Sequence, residues 1–250
     1  MNLKGGVGKT VTAINLASIL ANDHKKRVLV VDADSQCNAT EFLLEDGEEP
    51  LGTLTDLLRN NGSGTFCITN TGERNVSIIP ADDNLMALDL RMVEGKRLHL
   101  CALRDALADI DVANLYDYVI IDCPPAFSVA CAAALIAAQD VIVPIKLDAF
   151  SLRGMTNLYR QIANMRRINQ TLRVAGCLVT MWYKSKELEQ AEQELRRSIL
   201  PIFETKIRRS DRVDGMTFAQ EPLRCYSPRS SAGIDYRRFV RELIGGVGRG

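Results

Sequence analysis

The chain opens on Met-Asn-Leu-Lys-Gly-Gly-Val-Gly-Lys-Thr, with Gly5, Gly6 and Gly8 standing directly ahead of Lys9 and Thr10. Glycines at that density let a backbone curl until its N–H groups converge, and a helix that starts there turns its positive end toward the same spot. Such a cradle holds anionic oxygen. Lys9 reaches the β and γ groups of a polyphosphate, and the Thr10 hydroxyl can ligate Mg²⁺. Gly5, Gly6, Val7, Gly8, Lys9, Thr10 and Val11 are therefore the candidate nucleotide-contacting residues. The spacing departs from the common G-x-x-x-x-G-K-[ST] pattern, because Leu3 takes the place of its first glycine and an additional lysine, Lys4, precedes the run.

Two apolar runs end in carboxylates. Arg27-Val-Leu-Val-Val-Asp-Ala-Asp34 and Tyr118-Val-Ile-Ile-Asp-Cys-Pro-Pro125 both read as buried strands. Ligands of open α/β sheets sit at that carboxyl edge. Asp122 is placed to hold Mg²⁺ directly or through its waters. Asp32 and Asp34 are two apart and share one side of a strand, so one can join the metal sphere while the other orients an attacking water.

These residues need a framework of alternating strands and helices. The apolar pattern of Ala13, Ile14, Leu16, Ala17, Ile19 and Leu20 predicts a helix over about 10–22, and further strands are expected over 75–80, 140–145 and 174–181. Residues 45–75 read as loop-rich around a short helix, 85–110 as helical, 184–200 as a charged amphipathic helix and 234–244 as a terminal one. The fold class expected is an α/β phosphate-loop NTPase with a mostly parallel sheet covered by helices on both faces, as a single domain over 1–250. With 46% hydrophobic and 25% charged residues the chain can bury a full core. It holds no run of 18 apolar residues and no charged-then-apolar leader, so neither a membrane span nor a secretion signal is read. Seven cysteines without a C-x-x-C pair suit reduced thiols in a cytoplasm rather than a disulfide framework or a zinc site. His24 and His99 sit in polar contexts that suit surface or cap positions.

The formal net charge of zero conceals a division. Residues 1–150 carry 12 Lys/Arg against 21 Asp/Glu, whereas 151–250 carry 19 against 10. A basic second half suits a polyanion such as DNA. Within 206–241, nine Lys/Arg stand against four acids, and Arg208, Arg209, Arg212, Arg237 and Arg238 are the candidate DNA contacts. Such binding is sequence-blind and strongly salt-dependent.

Taken in order, K-G-G-V-G-K-T, "VLVVDADSQCNAT", "YDYVIIDCPP", "DVIVPIKLDAFSLRG" and the closing "YSPRSSAGIDYRRFVREL" resemble the ParA/Soj family of partition ATPases within the MinD/ParA superfamily. The resemblance implies an ATP- and Mg²⁺-dependent homodimer with a deviant Walker A loop. It also implies nonspecific double-stranded DNA binding in the ATP state, a nucleoid-associated location, and slow hydrolysis stimulated by a ParB-like partner. Segregation of plasmid, chromosome or mobile-element DNA is the function implied. Lys4 becomes the signature lysine that reaches the partner's nucleotide, a catalytic role shared with Lys9 and with Asp34, which orients water. Thr10, Asp32 and Asp122 become the metal shell. Val11 replaces a threonine usual in the family, and Ser35 and Cys37 replace proline and glycine, so Cys37 would be strained if its position needs a positive φ. The family pattern also carries about eight residues ahead of the loop as a strand. Met1 is accordingly expected to correspond to an internal methionine, and a missing central strand to leave a slot in the core. The rival expectation is a MinD-like membrane ATPase using the last helix as an interfacial anchor, although a helix packed on its own core fits Glu242 better. A regulator with weak hydrolysis is a further alternative.

Overall fold

The computed structural model describes residues 1–45, 47–60, 67–96, 98–109, 112–148, 151–197 and 201–246. The first helix, α1 (Lys9–Asn22), is buried from Thr12 to Ala21 on every side, so it runs through the middle of the molecule instead of along its surface. Its polar residues are matched inside. The Thr12 hydroxyl and Tyr236 hydroxyl lie 3.1 Å apart, and the Asn15 side chain donates to the Val11 carbonyl while accepting from the Leu223 amide.

The strand β1 (Val28–Asp32) is buried along its whole length because it lies inside the sheet. It pairs in parallel with β3 (Val76–Ile79) on one side and with β4 (Tyr118–Asp122) on the other. A short β2 (Thr69–Asn70) adds an antiparallel edge beside β3. The β1–β4 register sets Asp32 opposite Asp122, so both carboxylate-bearing ends fall on one edge. A second parallel pair, β5 (Asp140–Lys146) with β6 (Arg173–Thr180), forms its own two-stranded sheet. Between β4 and β5 lies a cavity of about 720 Å³. The predicted strands thus form with boundaries shifted by a residue or two.

One predicted helix is two. The 85–110 stretch breaks into α4 (Leu85–Val93) and α5 (Ala102–Asp109), with Gly95 at φ 73° just past α4. Glycine in the left-handed region closes a helix, and the apolar period on either side hid the break. The short helices α2 (Asn38–Leu43), α3 (Leu54–Asn60) and α6 (Val112–Leu115) lie along the first half.

The second half adds α7 (Val129–Ala137), α8 (Ser151–Met165), α9 (Lys186–Arg196), α10 (Arg212–Ala219), α11 (Leu223–Tyr226) and α12 (Ser231–Ile244). The α7 start is capped by Ser128, whose side chain accepts from the Cys131 amide. In α12, Tyr236, Phe239 and Val240 are buried against α1 and β1, and Leu243 and Ile244 pack on the same core. That apolar face is spent on the protein's interior. No helix among the described residues is long and apolar enough to cross a membrane.

Candidate functional site

The glycine-rich turn leads from Asn2 into α1, and its backbone has the shape its residues permit. Gly6 and Gly8 sit at φ 67° and 81°, conformations that cost an L side chain about 1–2 kcal/mol. Among the described residues, no heavy atom beyond each glycine's own chain neighbours lies within 4 Å of where a Cβ would stand at Gly5, Gly6 or Gly8, so the cradle is open on that side. Val7, between them, is buried, and its carbonyl accepts from the Thr180 hydroxyl at 2.9 Å at the end of β6. That bond ties the loop to the second sheet. Val11 is half-buried and packs on the core beside α12.

Lys9 folds over the loop, its Nζ donating to the Lys4 carbonyl at 3.3 Å. Burial holds its pKa below the ordinary lysine value, while the negative charge of Asp122 and Asp34 pushes it back upward. An ammonium placed this way gains from any anion that enters. Asp122 is 3% exposed, and its Oδ2 has no hydrogen-bond partner among the described residues. Burial raises its carboxyl to about 7 against the opposing hydrogen bond from the Thr10 side chain. A buried carboxylate oxygen left without a donor, beside a threonine hydroxyl at the first turn of a helix, matches what a hard divalent cation takes as ligands. The residues present therefore fit Mg²⁺.

The raised Asp122 carboxyl has a consequence for the metal-free protein. Because its folded pKa lies above the unfolded value, the folded state holds a proton that the unfolded state has lost between about pH 4 and 7. Its stabilising contribution is complete below that window and disappears as pH rises through 7. Unfolding by urea in chelator should show stability falling across this range, and Asp122→Asn should flatten the fall. An unchanged profile in the variant would assign the dependence to another group.

Asp32 and Asp34 part company. Asp32 Oδ1 accepts from the Asp34 amide at 3.1 Å, and Oδ2 accepts from the Thr40 amide and hydroxyl at 2.9 and 2.8 Å. The Thr40 hydroxyl in turn accepts from the Ala81 amide. The bonds of both Asp32 oxygens thus join β1, α2 and the segment after β3. Asp34, 7% exposed, accepts from the Gln36 amide through one oxygen and stands near enough to Lys9 to raise its pKa. Cys37, at φ 54°, occupies the left-handed conformation that the missing glycine would have eased.

Lys4 stands apart from the cradle. Its side chain is 45% exposed and paired with Asp148, in the segment after β5. The structure thus brings Lys9, Thr10, Asp34 and Asp122 to one place and leaves Lys4 on the rim. Thr40, Thr180 and Asp148 are not singled out by sequence, since Thr180 and Asp148 act through partners far along the chain and Thr40 links Asp32 to the distant Ala81 amide.

The five arginines divide as well. Arg208 donates through Nε and Nη2 to both oxygens of Asp235 at 2.8 and 2.9 Å, and Asp235 is 1% exposed. Arg237 pairs with Asp23 and donates to the Pro228 carbonyl, while Arg224 holds the same Asp23. Both expected DNA contacts are therefore engaged in packing α12 against its neighbours, because each guanidinium satisfies an acid, Asp235 of α12 for Arg208 and Asp23 just past α1 for Arg237. Arg209, Arg212 and Arg238 are exposed.

A family profile described as an AAA domain matches residues 1–174. The chromosome partitioning protein ParA of Caulobacter vibrioides is 34% identical over 246 residues, covering 97% of this chain and 91% of that protein. The chain belongs to the ParA/Soj family. The sporulation initiation inhibitor protein Soj of Bacillus subtilis is 30% identical, with 97% and 95% of the two chains covered. Among solved structures, cobyrinic acid a,c-diamide synthase of Mycobacterium smegmatis, with bound ADP and magnesium, superposes with a TM-score of 0.81 at 28% identity, covering 99% of this chain and 95% of that one. The Pyrococcus furiosus cell division ATPase MinD shares the fold at a TM-score of 0.78 and 20% identity, over 98% and 96% of the two chains. In this ParA/Soj chain the loop, the strand ends and the first helix meet at one edge of a mostly parallel sheet.

Proposed function

We propose that this ParA/Soj chain is a Mg²⁺-dependent ATPase that dimerises with ATP, binds duplex DNA without regard to sequence, and partitions DNA with a ParB-like protein that stimulates hydrolysis. The observation that carries the reading is the meeting of an open glycine cradle, the Lys9 ammonium and the unpartnered Asp122 oxygen at one sheet edge. The ADP and magnesium of the synthase neighbour support ATP and Mg²⁺ as the ligands. Bound there, the metal would neutralise charge developing on the phosphates.

The chain's own residues supply the rest. Backbone N–H groups of Gly5 to Thr10 bind the phosphates, and Lys9 leaves the Lys4 carbonyl for the terminal groups. Thr10 and Asp122 hold the metal, and Asp32 acts as a positioning residue through Thr40. Asp34 has an oxygen left over from its bond to Gln36 and is the group that orients water. Lys4, on the rim, leaves Asp148 when a second copy presents its nucleotide, which keeps turnover slow until the dimer forms. A cytoplasmic, nucleoid-associated location follows from this function.

The DNA surface is read from the exposed Arg209, Arg212 and Arg238. Their joint replacement by alanine should weaken ATP-dependent binding to unrelated duplex DNA and reduce the slope of log K against log salt by about 2–3, with the unfolding midpoint unchanged. Binding and slope that match the parent protein would remove these arginines from the interface.

A further inference from the structure

We propose that the buried hydroxyl pair of Thr12 and Tyr236 is the contact through which occupancy of the glycine cradle governs the DNA-facing side of α12, with Tyr236 as a positioning residue for that surface. This role rests on the DNA binding just proposed. The first link lies at the cradle itself. The carbonyl of Gly8, a residue held at φ 81°, accepts from the Thr12 amide at 2.9 Å, and the Thr12 hydroxyl oxygen lies 3.1 Å from that of Tyr236. Two hydrogen bonds thus join the loop to a helix that lies 224 residues further along the chain.

Both side chains are buried, and among the described residues this is the one hydrogen bond that either hydroxyl makes. Burial pushes the Tyr236 phenol up to about 12, so it stays protonated and keeps its donor. A hydroxyl pair closed off from water tolerates little displacement, because parting the two helices leaves both oxygens without a partner. Small shifts of α1 therefore reach α12.

Tyr236 sits at the centre of the groups that shape the DNA surface. It follows Asp235, which accepts from the Arg208 amide and guanidinium, and precedes Arg237 and the exposed Arg238. Further along α1, Asn15 accepts from the Leu223 amide of α11 and donates to the Met216 sulfur of α10, and Asp23 just past α1 pairs with Arg224 and Arg237. The helices that carry the exposed Arg212 and Arg238 are thus fastened to α1 at three levels. Thr12 is the level nearest the loop. A phosphate that draws the backbone N–H groups from Gly8 to Thr10 toward itself acts on Thr12 within one helical turn.

The test measures the affinity of the full chain for an unrelated DNA duplex with and without a non-hydrolysable ATP analogue and Mg²⁺, and its affinity for the analogue with and without duplex. Coupling between two ligands is reciprocal, so both ratios report one factor. The parent chain should show a factor of about ten or more. Tyr236→Phe removes one oxygen and keeps the ring that packs in the core, and Thr12→Val removes the opposing hydroxyl at nearly constant shape. Each should lower the factor at least about fivefold, and the double variant should lose no more than either single one, because all three break the same contact. Analogue affinity without DNA should stay within about twofold of the parent's. The factor is a ratio taken within each variant, so a general loss of packing, which weakens DNA binding equally in both nucleotide states, leaves it unchanged and would overturn the role. A parent-like factor in Tyr236→Phe, the result if dimerisation alone supplies the ATP dependence, would overturn it while leaving the DNA reading in place. DNA binding by the parent that is absent or indifferent to the analogue would overturn both, and a double variant much weaker in coupling than either single one would place the coupling outside this pair.

Discussion

Replacing Lys9 by alanine is expected to lower ATP turnover by about 10²–10³-fold while leaving the fold intact. Among the described residues the side chain makes one weak hydrogen bond, the 3.3 Å bond to the Lys4 carbonyl, so little native stability depends on it. Its position is costly in a different sense. Burial depresses the ammonium, and only the charges of Asp122 and Asp34 offset that effect. A polyphosphate entering the cradle supplies far more negative charge at closer range, and the strength of a charge-assisted contact in a partly dry site exceeds that of the same contact in water. Phosphate release at saturating Mg·ATP, with far-ultraviolet circular dichroism as the control for folding, measures the effect. Turnover within about threefold of the parent would mean that the cradle's backbone carries the phosphate unaided and that the assignment of Lys9 is wrong.

The second large effect is on stability. Arg208→Ala is expected to destabilise the protein by about 2–3 kcal/mol, below the roughly 3–5 kcal/mol seen when a fully buried pair is broken. The guanidinium side chain is 45% exposed, which weakens the pair, but Asp235 is almost completely covered and would keep only the Arg208 amide as a donor among the described residues. The loss falls on a junction that matters, because Asp235 belongs to α12 and the neighbouring Tyr236 and Phe239 are buried in the core against α1. Urea unfolding compares this variant with the Arg209, Arg212 and Arg238 replacement, which should leave the midpoint unchanged. A midpoint for Arg208→Ala equal to the parent's would show that water satisfies Asp235. If a variant loses the proposed DNA binding, the pair of experiments also separates loss through packing from loss through charge.

Much of this was legible in the chain alone, for a physical reason particular to each element. A glycine run followed by lysine and threonine can be recognised because backbone conformation there depends on residues adjacent in sequence. The strands were legible because an unbroken apolar run ending in aspartate has few other uses, although β1 is buried throughout whereas Tyr118 to Ile121 of β4 are half-buried. The 85–110 helix was misjudged because Gly95 ends α4 through a left-handed φ while the apolar period runs on through it. Strain at Cys37 depends on a backbone angle that residue type alone does not fix, and its φ of 54° lies in the left-handed region.

By itself, then, the sequence determined the cradle, the strands, the carboxylates at their ends and the basic composition of the second half. The tertiary structure alone decided which of these groups remain available. Asp32 and Asp122 both end parallel strands, but Thr40 and the Asp34 amide take both oxygens of the first, while one oxygen of the second has no donor among the described residues. Arg208 and Arg209 are adjacent in the chain, yet one meets the buried Asp235 and the other faces solvent. Residue type sets what a side chain can bind, whereas competition from partners 27 residues away, as between Arg208 and Asp235, sets what is left for a ligand.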